Sequence, residues 1–428
     1  MKDYLLFLAR VARISFQGGW RFYLWMSLLT VIALLGLHSY MRQFVEGLQA
    51  TGMTNQVSWG AYISNFTYLV GIAAAAVMLV IPAYIYRNEE MHKVVLFGEL
   101  MAIAVIVMCL LFVMVDLGHL DRFHHLIPPF GIFNFPVSIL SWDVLVLNGY
   151  LLLNMHICGY LLYCKYRNVK PTAKFYIPFV FIAIVWAISI HTVTAFLYVS
   201  LGGRPYWNHP IIAPRFLASA FTAGPAILVV TFQFIRRYTR YWIGDAPIFT
   251  LRRIITVAMI INVFLLACEV FTEFYVKTYH VSASQYLYFG LHGHTALVGW
   301  IWTAIVLEVS ALALFVTPWS RRIGWLNLAC VLAFVGIGIE KGMGLIVPGF
   351  VPSPLGEVVE YAPTWNEFLV VLGIWSFGAL MYSWMLRVAI PIMDGSLAAG
   401  TASPLEDLES GTSRHGTARP FSLGGDFQ

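Results

Sequence analysis

Ten stretches of this chain stay apolar long enough to cross a bilayer, and the polar positions collect between them. They run over 22–37, 59–84, 94–115, 139–164, 175–200, 212–236, 253–276, 286–316, 324–346 and 366–391. A hydrocarbon core about 30 Å thick takes roughly 20 helical residues. In lipid, segments of this kind satisfy their own backbone only as helices. The expected fold class is therefore all-α, a polytopic membrane protein of ten transmembrane helices. The first stretch is short unless it extends into the amphipathic lead-in 1–21, which sets Arg10 and Arg13 beside Phe7 and Phe16. The membrane domain is expected over 22–391. After Pro391 the composition turns to Gly, Ser, Thr and Asp, so 392–428 reads as a disordered tail.

The charges between the stretches give an orientation. With the N-terminus in the cytoplasm, 20 of the 26 Lys and Arg fall on the cytoplasmic side; the others are Arg42, Arg122, Arg204, Arg215, Lys277 and Lys341. The positive-inside rule then puts both termini in the cytoplasm. A long basic lead-in precedes the first apolar run, and no small-residue cleavage site follows it, so no cleavable signal peptide is expected.

Composition agrees with the pattern. The chain is 60% hydrophobic and 11% charged, with a mean hydropathy of +0.76, outside the range of soluble domains. Topology accounts for the net charge of +5, so nucleic acid is not an expected partner. The five cysteines lie in or beside apolar stretches and form no CxxC or CxxCH, which argues against a disulfide framework, a zinc or iron–sulfur site, and attached c-type haem. The connections 116–138, 201–211 and 347–365 are rich in Pro, Gly, His and aromatics, as ordered and partly re-entrant segments are.

A faint repeat is present. Ser64-Asn65-Phe66-Thr67 in the second span resembles Ser219-Ala220-Phe221-Thr222 in the sixth, and both spans run inward. Four spans separate them, as two four-helix units (spans 2–5 and 6–9) would require, with spans 1 and 10 flanking.

Ionisable groups within lipid are costly, at least ~2.5–3.5 kcal/mol on insertion scales, and are functional candidates by default. Asp116 and His119 close the third span, Asp143 opens the fourth, Tyr62 and Asn65 open the second, and His191 lies in the fifth. Converging at the outer ends of spans 2–5, these residues would form a pocket suited to a quinone. Asp116, His119 and Asp143 would exchange its protons, while Tyr62, Asn65, Arg122 and His191 shape the site. Trp59, Phe66 and Trp142 would flank the ring. The competing reading makes Asp116 and Arg122 a buried salt bridge holding the loop, with His119 capping the helix and His191 a core histidine.

A second polar set lies in the other half. Glu269 and Glu273 are spaced i, i+4 on one helical face, and Glu340-Lys341 ends the ninth span. These four would relay protons, bind cations or pair with one another. A transporter-like module is the function they suggest without a redox site. Haem b would need two imidazoles at one depth. His156 and His191, the deepest histidines, lie at different depths on antiparallel spans, and His292 and His294 sit at a span edge.

The run Asp116-Leu117-Gly118-His119-Leu120-Asp121-Arg122-Phe123 resembles the NrfD-type family, the membrane subunits of polysulfide reductase and related complexes, with His119 where Arg is commoner. Trp59-Gly60 with Ile63-Ser64-Asn65-Phe66, and Ser138-Ile139-Leu140-Ser141-Trp142-Asp143, resemble that family's second-span and fourth-span entries. The ten-span form, Glu340-Lys341-Gly342-Met343-Gly344-Leu345-Ile346-Val347-Pro348-Gly349 and Pro352-Ser353-Pro354-Leu355-Gly356-Glu357 are similar to the DsrP-type subgroup of sulfur metabolism. The likeness covers about 15–392. It implies a subunit of the prokaryotic cytoplasmic membrane without haem or metal of its own, binding menaquinone or ubiquinone near the outer face. It further implies electron exchange with an extracytoplasmic ferredoxin-like iron–sulfur subunit. The subgroup's assembly also includes a cytochrome b-like subunit, a cytoplasmic iron–sulfur subunit and a multihaem cytochrome c.

Overall fold

The computed structural model describes residues 2–276 and 281–399. Lys277 and residues 400–428 of the expected tail lie outside the described residues. Among the described residues, ten helices are long and apolar enough to cross a membrane: Trp20–Glu46, Ala61–Ile85, Val95–Asp116, Ile139–Tyr166, Ala173–Val199, Ile212–Tyr238, Asp245–Val276, Val298–Val316, Ile323–Phe350 and Trp365–Met393, numbered spans 1–10 below. Odd spans run from the end that gathers most of the basic residues, the basic end, to the far end.

Spans 2–5 close into one four-helix bundle, each packing on the next and span 5 returning to span 2; spans 6–9 close in the same way. The two bundles join through spans 2 and 6, where small residues let the backbones approach. A Cβ added to Gly71 would sit 3.6 Å from the Ala220 Cα, and one added to Gly224 would sit 2.5 Å from the Ala75 Cβ. Such small faces are how helices associate in lipid, where burial in an apolar solvent supplies no hydrophobic drive. Spans 1 and 10 pack on each other, and span 10 lies against span 3. Both flanking helices thus sit beside the first bundle.

Three boundaries differ from the expected ones. Span 1 lengthens at the far end, to Glu46, rather than into the lead-in. The lead-in forms its own helix, Lys2–Ser15, separated from span 1 by 16–19. Its Phe7 ring lies 4.9 Å from Tyr166, and Arg10 donates to the Ala398 carbonyl at 3.1 Å. Residues 394–399 fold back there too, with Leu397 buried beside Ile14 and Tyr166. Span 7 begins at Asp245, taking Arg252 and Arg253 into the helix. Span 8 begins at Val298 instead of 286, because the chain turns through Gly290 (φ +87°), His292 (φ +52°) and Gly293 (φ +89°), a left-handed course that ends the short helix Val281–Tyr288.

Of the three Pro- and aromatic-rich connections, two are buried where they meet. The Trp207 indole, fully enclosed, donates to the Leu345 carbonyl at 2.9 Å, and Val347–Val351 are shielded beneath it. The third differs: residues 121–130 are exposed.

Candidate functional site

The far end of the first bundle is organised by Tyr62 and Asp116. Tyr62, in the first turn of span 2, is fully buried and donates to Gln43 Oε1 of span 1 at 2.6 Å. Gln43 in turn donates to the Val115 carbonyl at 2.7 Å. These bonds tie three helix ends together beside Asp116, the last residue of span 3. Asp116 is half-buried, and its Oδ1 is enclosed without a hydrogen-bond partner. Glu367 of span 10 lies close by in the opposite condition. It is fully buried and accepts from the Tyr361 hydroxyl at 2.6 Å, Gly52 N at 2.7 Å and Thr364 N at 2.8 Å.

Asp143, at 2% exposure, accepts from Thr194 of span 5 at 2.8 Å. One turn further along span 5, the Tyr198 hydroxyl bonds to Thr67 of span 2. The Tyr198 ring meets Trp59 edge-on at 5.9 Å, and Trp59 also lies against Trp207 and Phe350. His191 is fully buried, with Nδ1 2.9 Å from the carbonyl of Ala187 in its own helix. The expected groups Trp59, Tyr62, Asp116, Asp143 and His191 therefore line the interior of one bundle, toward one end.

Other expected members fall elsewhere. The helix stops at Asp116, with Leu117 extended, so the helical phase that would keep His119 under Asp116 is lost. His119 is exposed, 3.4 Å from Asp121, and Arg122 is exposed too, so neither lines the bundle interior and no Asp116–Arg122 salt bridge forms. Trp142 turns outward: its indole donates to the Pro136 carbonyl at 2.8 Å and its ring lies 5.0 Å from Phe135, as befits an interfacial anchor. Asn65 is engaged by span 10, accepting from Trp375 at 2.8 Å while donating to Ala61 O. His156 is exposed and bonds to the Phe175 carbonyl at 2.9 Å, so it does not face His191.

The second bundle encloses a charge network to which each of its helices contributes. Arg215, in the first turn of span 6 and 3% exposed, forms ion pairs with Glu269 of span 7 and Glu340 of span 9. Lys341 Nζ lies 3.3 Å from Glu340. Two turns below Glu269, Asn262 donates to Glu308 of span 8 at 3.0 Å. Glu308 and Glu340 each keep one buried oxygen without a partner. Glu273 lies one turn beyond Glu269 and accepts from Ser284 at 3.3 Å. Lys341 and Thr67 also line a void between the two bundles of about 10 Å³, room for roughly one water and for no quinone ring.

The family model "Polysulphide reductase, NrfD" matches residues 49–351. This chain belongs to the NrfD family. Relatives include a putative dimethyl sulfoxide reductase membrane subunit of Halobacterium salinarum, 25% identical over 85% of this chain and 90% of that one. The "Hdr-like menaquinol oxidoreductase integral membrane subunit" of Archaeoglobus fulgidus is 23% identical over 81% and 88%. A selenate reductase subunit of Mesobacillus selenatarsenatis is 22% identical over 87% and 94%. As an NrfD-family member, the chain is a multi-pass membrane subunit of an oxidoreductase complex.

Arg215, Glu308 and Glu99 of this NrfD-family chain are buried ionisable groups that were not among the expected site residues, and Glu367 is a fourth. Arg215 has the sequence signature of a loop cation because it lies in the first turn of its span. Glu308 is fully buried midway along span 8. Glu99, 1% exposed in the second turn of span 3, accepts from the Cys158 thiol at 3.5 Å. The signal for Glu308 and Glu99 is present in the sequence, a lone carboxylate inside an apolar run, but the denser polar sets at the span ends outweigh it.

Proposed function

We propose that this chain is the quinone-reactive subunit of its complex, with the far end of the first bundle facing outward and Asp116 as the group that exchanges protons with the quinone. One observation carries the reading: Asp116 Oδ1 is enclosed and unpartnered beside Tyr62, at the edge where the buried bundle meets the exposed residues 117–119. A quinol releases two electrons and two protons, and an unengaged carboxylate oxygen is the acceptor such chemistry needs. Tyr62, held by Gln43, fixes the rim of the site, and the Asp143–Thr194 pair lies deeper as a second proton-holding group. The relative named as a menaquinol oxidoreductase subunit supports menaquinone as the carrier. On this reading His119 and Arg122 lie under an iron–sulfur partner that receives the electrons. The DsrP-like motifs support partners from sulfur metabolism.

The test is Asp116→Asn in the intact complex. Quinol-linked electron transfer is expected to fall about 100-fold or more, the scale of a lost general base, with assembly unchanged and Asp116→Glu restoring much of it. Full turnover by Asp116→Asn would remove the proton site from this position.

A second reading is favoured by the unpartnered oxygens of Glu308 and Glu340: quinone chemistry drives protons through spans 6–9. Glu308→Gln is expected to abolish charge movement in proteoliposomes that contain donor and acceptor. Charge movement without any donor or acceptor would favour a transporter instead, and a reduced-minus-oxidised Soret band from the isolated chain would establish a haem subunit.

A further inference from the structure

Spans 7 and 8 separate at the basic end around a cavity of about 430 Å³, lined by Arg252, Arg253, Thr256, Phe315, Val316 and Arg321, with Val257 at its upper edge. Its chemistry is divided by depth. On the membrane side lie Val257, Phe315 and Val316, of which Val257 and Val316 are 59% and 56% exposed to the surroundings of the helix bundle. At the mouth lie three guanidinium groups, and no carboxylate is among the lining residues.

The arginines are arranged rather than merely present. Arg252 is held by Ser320, whose hydroxyl accepts from Nη1 at 2.6 Å, and that hydroxyl is itself anchored to the carbonyls of Phe315 and Thr317. The Arg252 Nε is buried and has no partner. Arg253 and Arg321 are exposed, and neither forms an ion pair among the described residues. Two other basic groups at this end do have acidic partners, Arg236 with Asp245 at 2.7 Å and Lys93 with Glu90 at 2.5 Å. Three like charges converging without a counter-ion are unfavourable unless an anion joins them. An apolar wall directly above requires that anion to carry hydrocarbon.

We infer that this cavity binds the headgroup of an anionic phospholipid, its phosphate bridging Arg252, Arg253 and Arg321 and its acyl chains running along Val257 and Val316. Basic pockets between transmembrane helices at a membrane surface recognise such headgroups by paired guanidinium–phosphate bonds. A soluble phosphate would satisfy the arginines but leave the apolar wall uncovered. The site lies at the opposite end of the molecule from Asp116 and is independent of the quinone reading.

The experiment uses the purified complex in phosphatidylcholine nanodiscs, with and without cardiolipin or phosphatidylglycerol, and reads thermal stability and lipid retained on delipidation by native mass spectrometry. Wild type is expected to gain stability with either anionic lipid and to retain it. Arg253→Gln and Arg321→Gln, both at exposed positions, are each expected to weaken retention roughly fivefold, the scale of one interfacial arginine. The remote pair Arg237→Gln/Arg240→Gln is expected to leave retention unchanged. Inorganic phosphate at millimolar concentration is expected to have no effect. Equal retention by the cavity variants, loss on the remote substitutions, or full replacement of the lipid effect by inorganic phosphate would each overturn the assignment.

Discussion

Two carboxylates at the far end show how the same group takes opposite roles. Glu367 is saturated by donors from two connections, Gly52 on one side and Tyr361 and Thr364 on the other, and closes a capping box with Thr364, so it holds the 47–60 and 351–364 connections to span 10. Asp116 keeps an oxygen in reserve. Glu367→Gln turns an amide donor toward existing donors, and leaving buried groups unmatched costs about 1–3 kcal/mol. Lower yield and melting temperature are expected, with turnover per assembled complex retained. In the second bundle, Arg215→Met removes the arginine paired with Glu269 and is expected to destabilise by about 3–5 kcal/mol. The double variant that adds Glu269→Gln should regain most of that in thermal unfolding, since Glu340 then keeps Lys341 at 3.3 Å and Glu269 no longer carries a charge. Residue type made Asp116, Asp143 and the Glu340–Lys341 pair legible in the sequence. Burial did not follow from type: His119 and Arg122 are as polar as their neighbours and lie outside only because the helix ends three residues too soon.

At the scale of elements, helices were readable because twenty-residue apolar runs have one solution in lipid. Their ends depend on local backbone instead. Span 8 starts twelve residues late because a left-handed turn at Gly290–Gly293 precedes it, and span 1 runs on to Glu46 because Gln43 is engaged by Tyr62. Spans 1 and 10 meet at bare backbone: a Cβ on Gly36 would lie 2.5 Å from the Gly373 Cα. Gly373→Val is expected to cost about 1–3 kcal/mol by overpacking, seen as a lower melting temperature. Between spans 2 and 3, burial holds the imidazole of His92, stacked edge-on to Tyr84 at 4.6 Å, below its ordinary range. A depressed histidine binds its proton more readily when its turn opens, so the folded connection loses stability as pH falls through about 6.5. The melting temperature of wild type is expected to drop more steeply between pH 7.5 and 5.5 than that of His92→Gln.

For the whole molecule, the four-residue likeness between spans 2 and 6 pointed to two stacked units, and the chain does fold as two closed bundles joined along those spans. What the likeness could not give was where the flanking helices go, because lipid-facing surfaces are apolar on every helix and carry no address. The first bundle therefore has its outward faces partly covered, while spans 7 and 8 have only a third of their most apolar windows buried.

The pairing of spans 1 and 10 bears on how the molecule is made. Only 17% of the most apolar window of span 1 is shielded, and its main neighbour is span 10, which is synthesised long after it. Span 1 thus waits in the bilayer through the insertion of eight other spans before it finds its mate. Closure of that pair is deferred until span 10 is made, and a chain cut short before Trp365 would strand span 1.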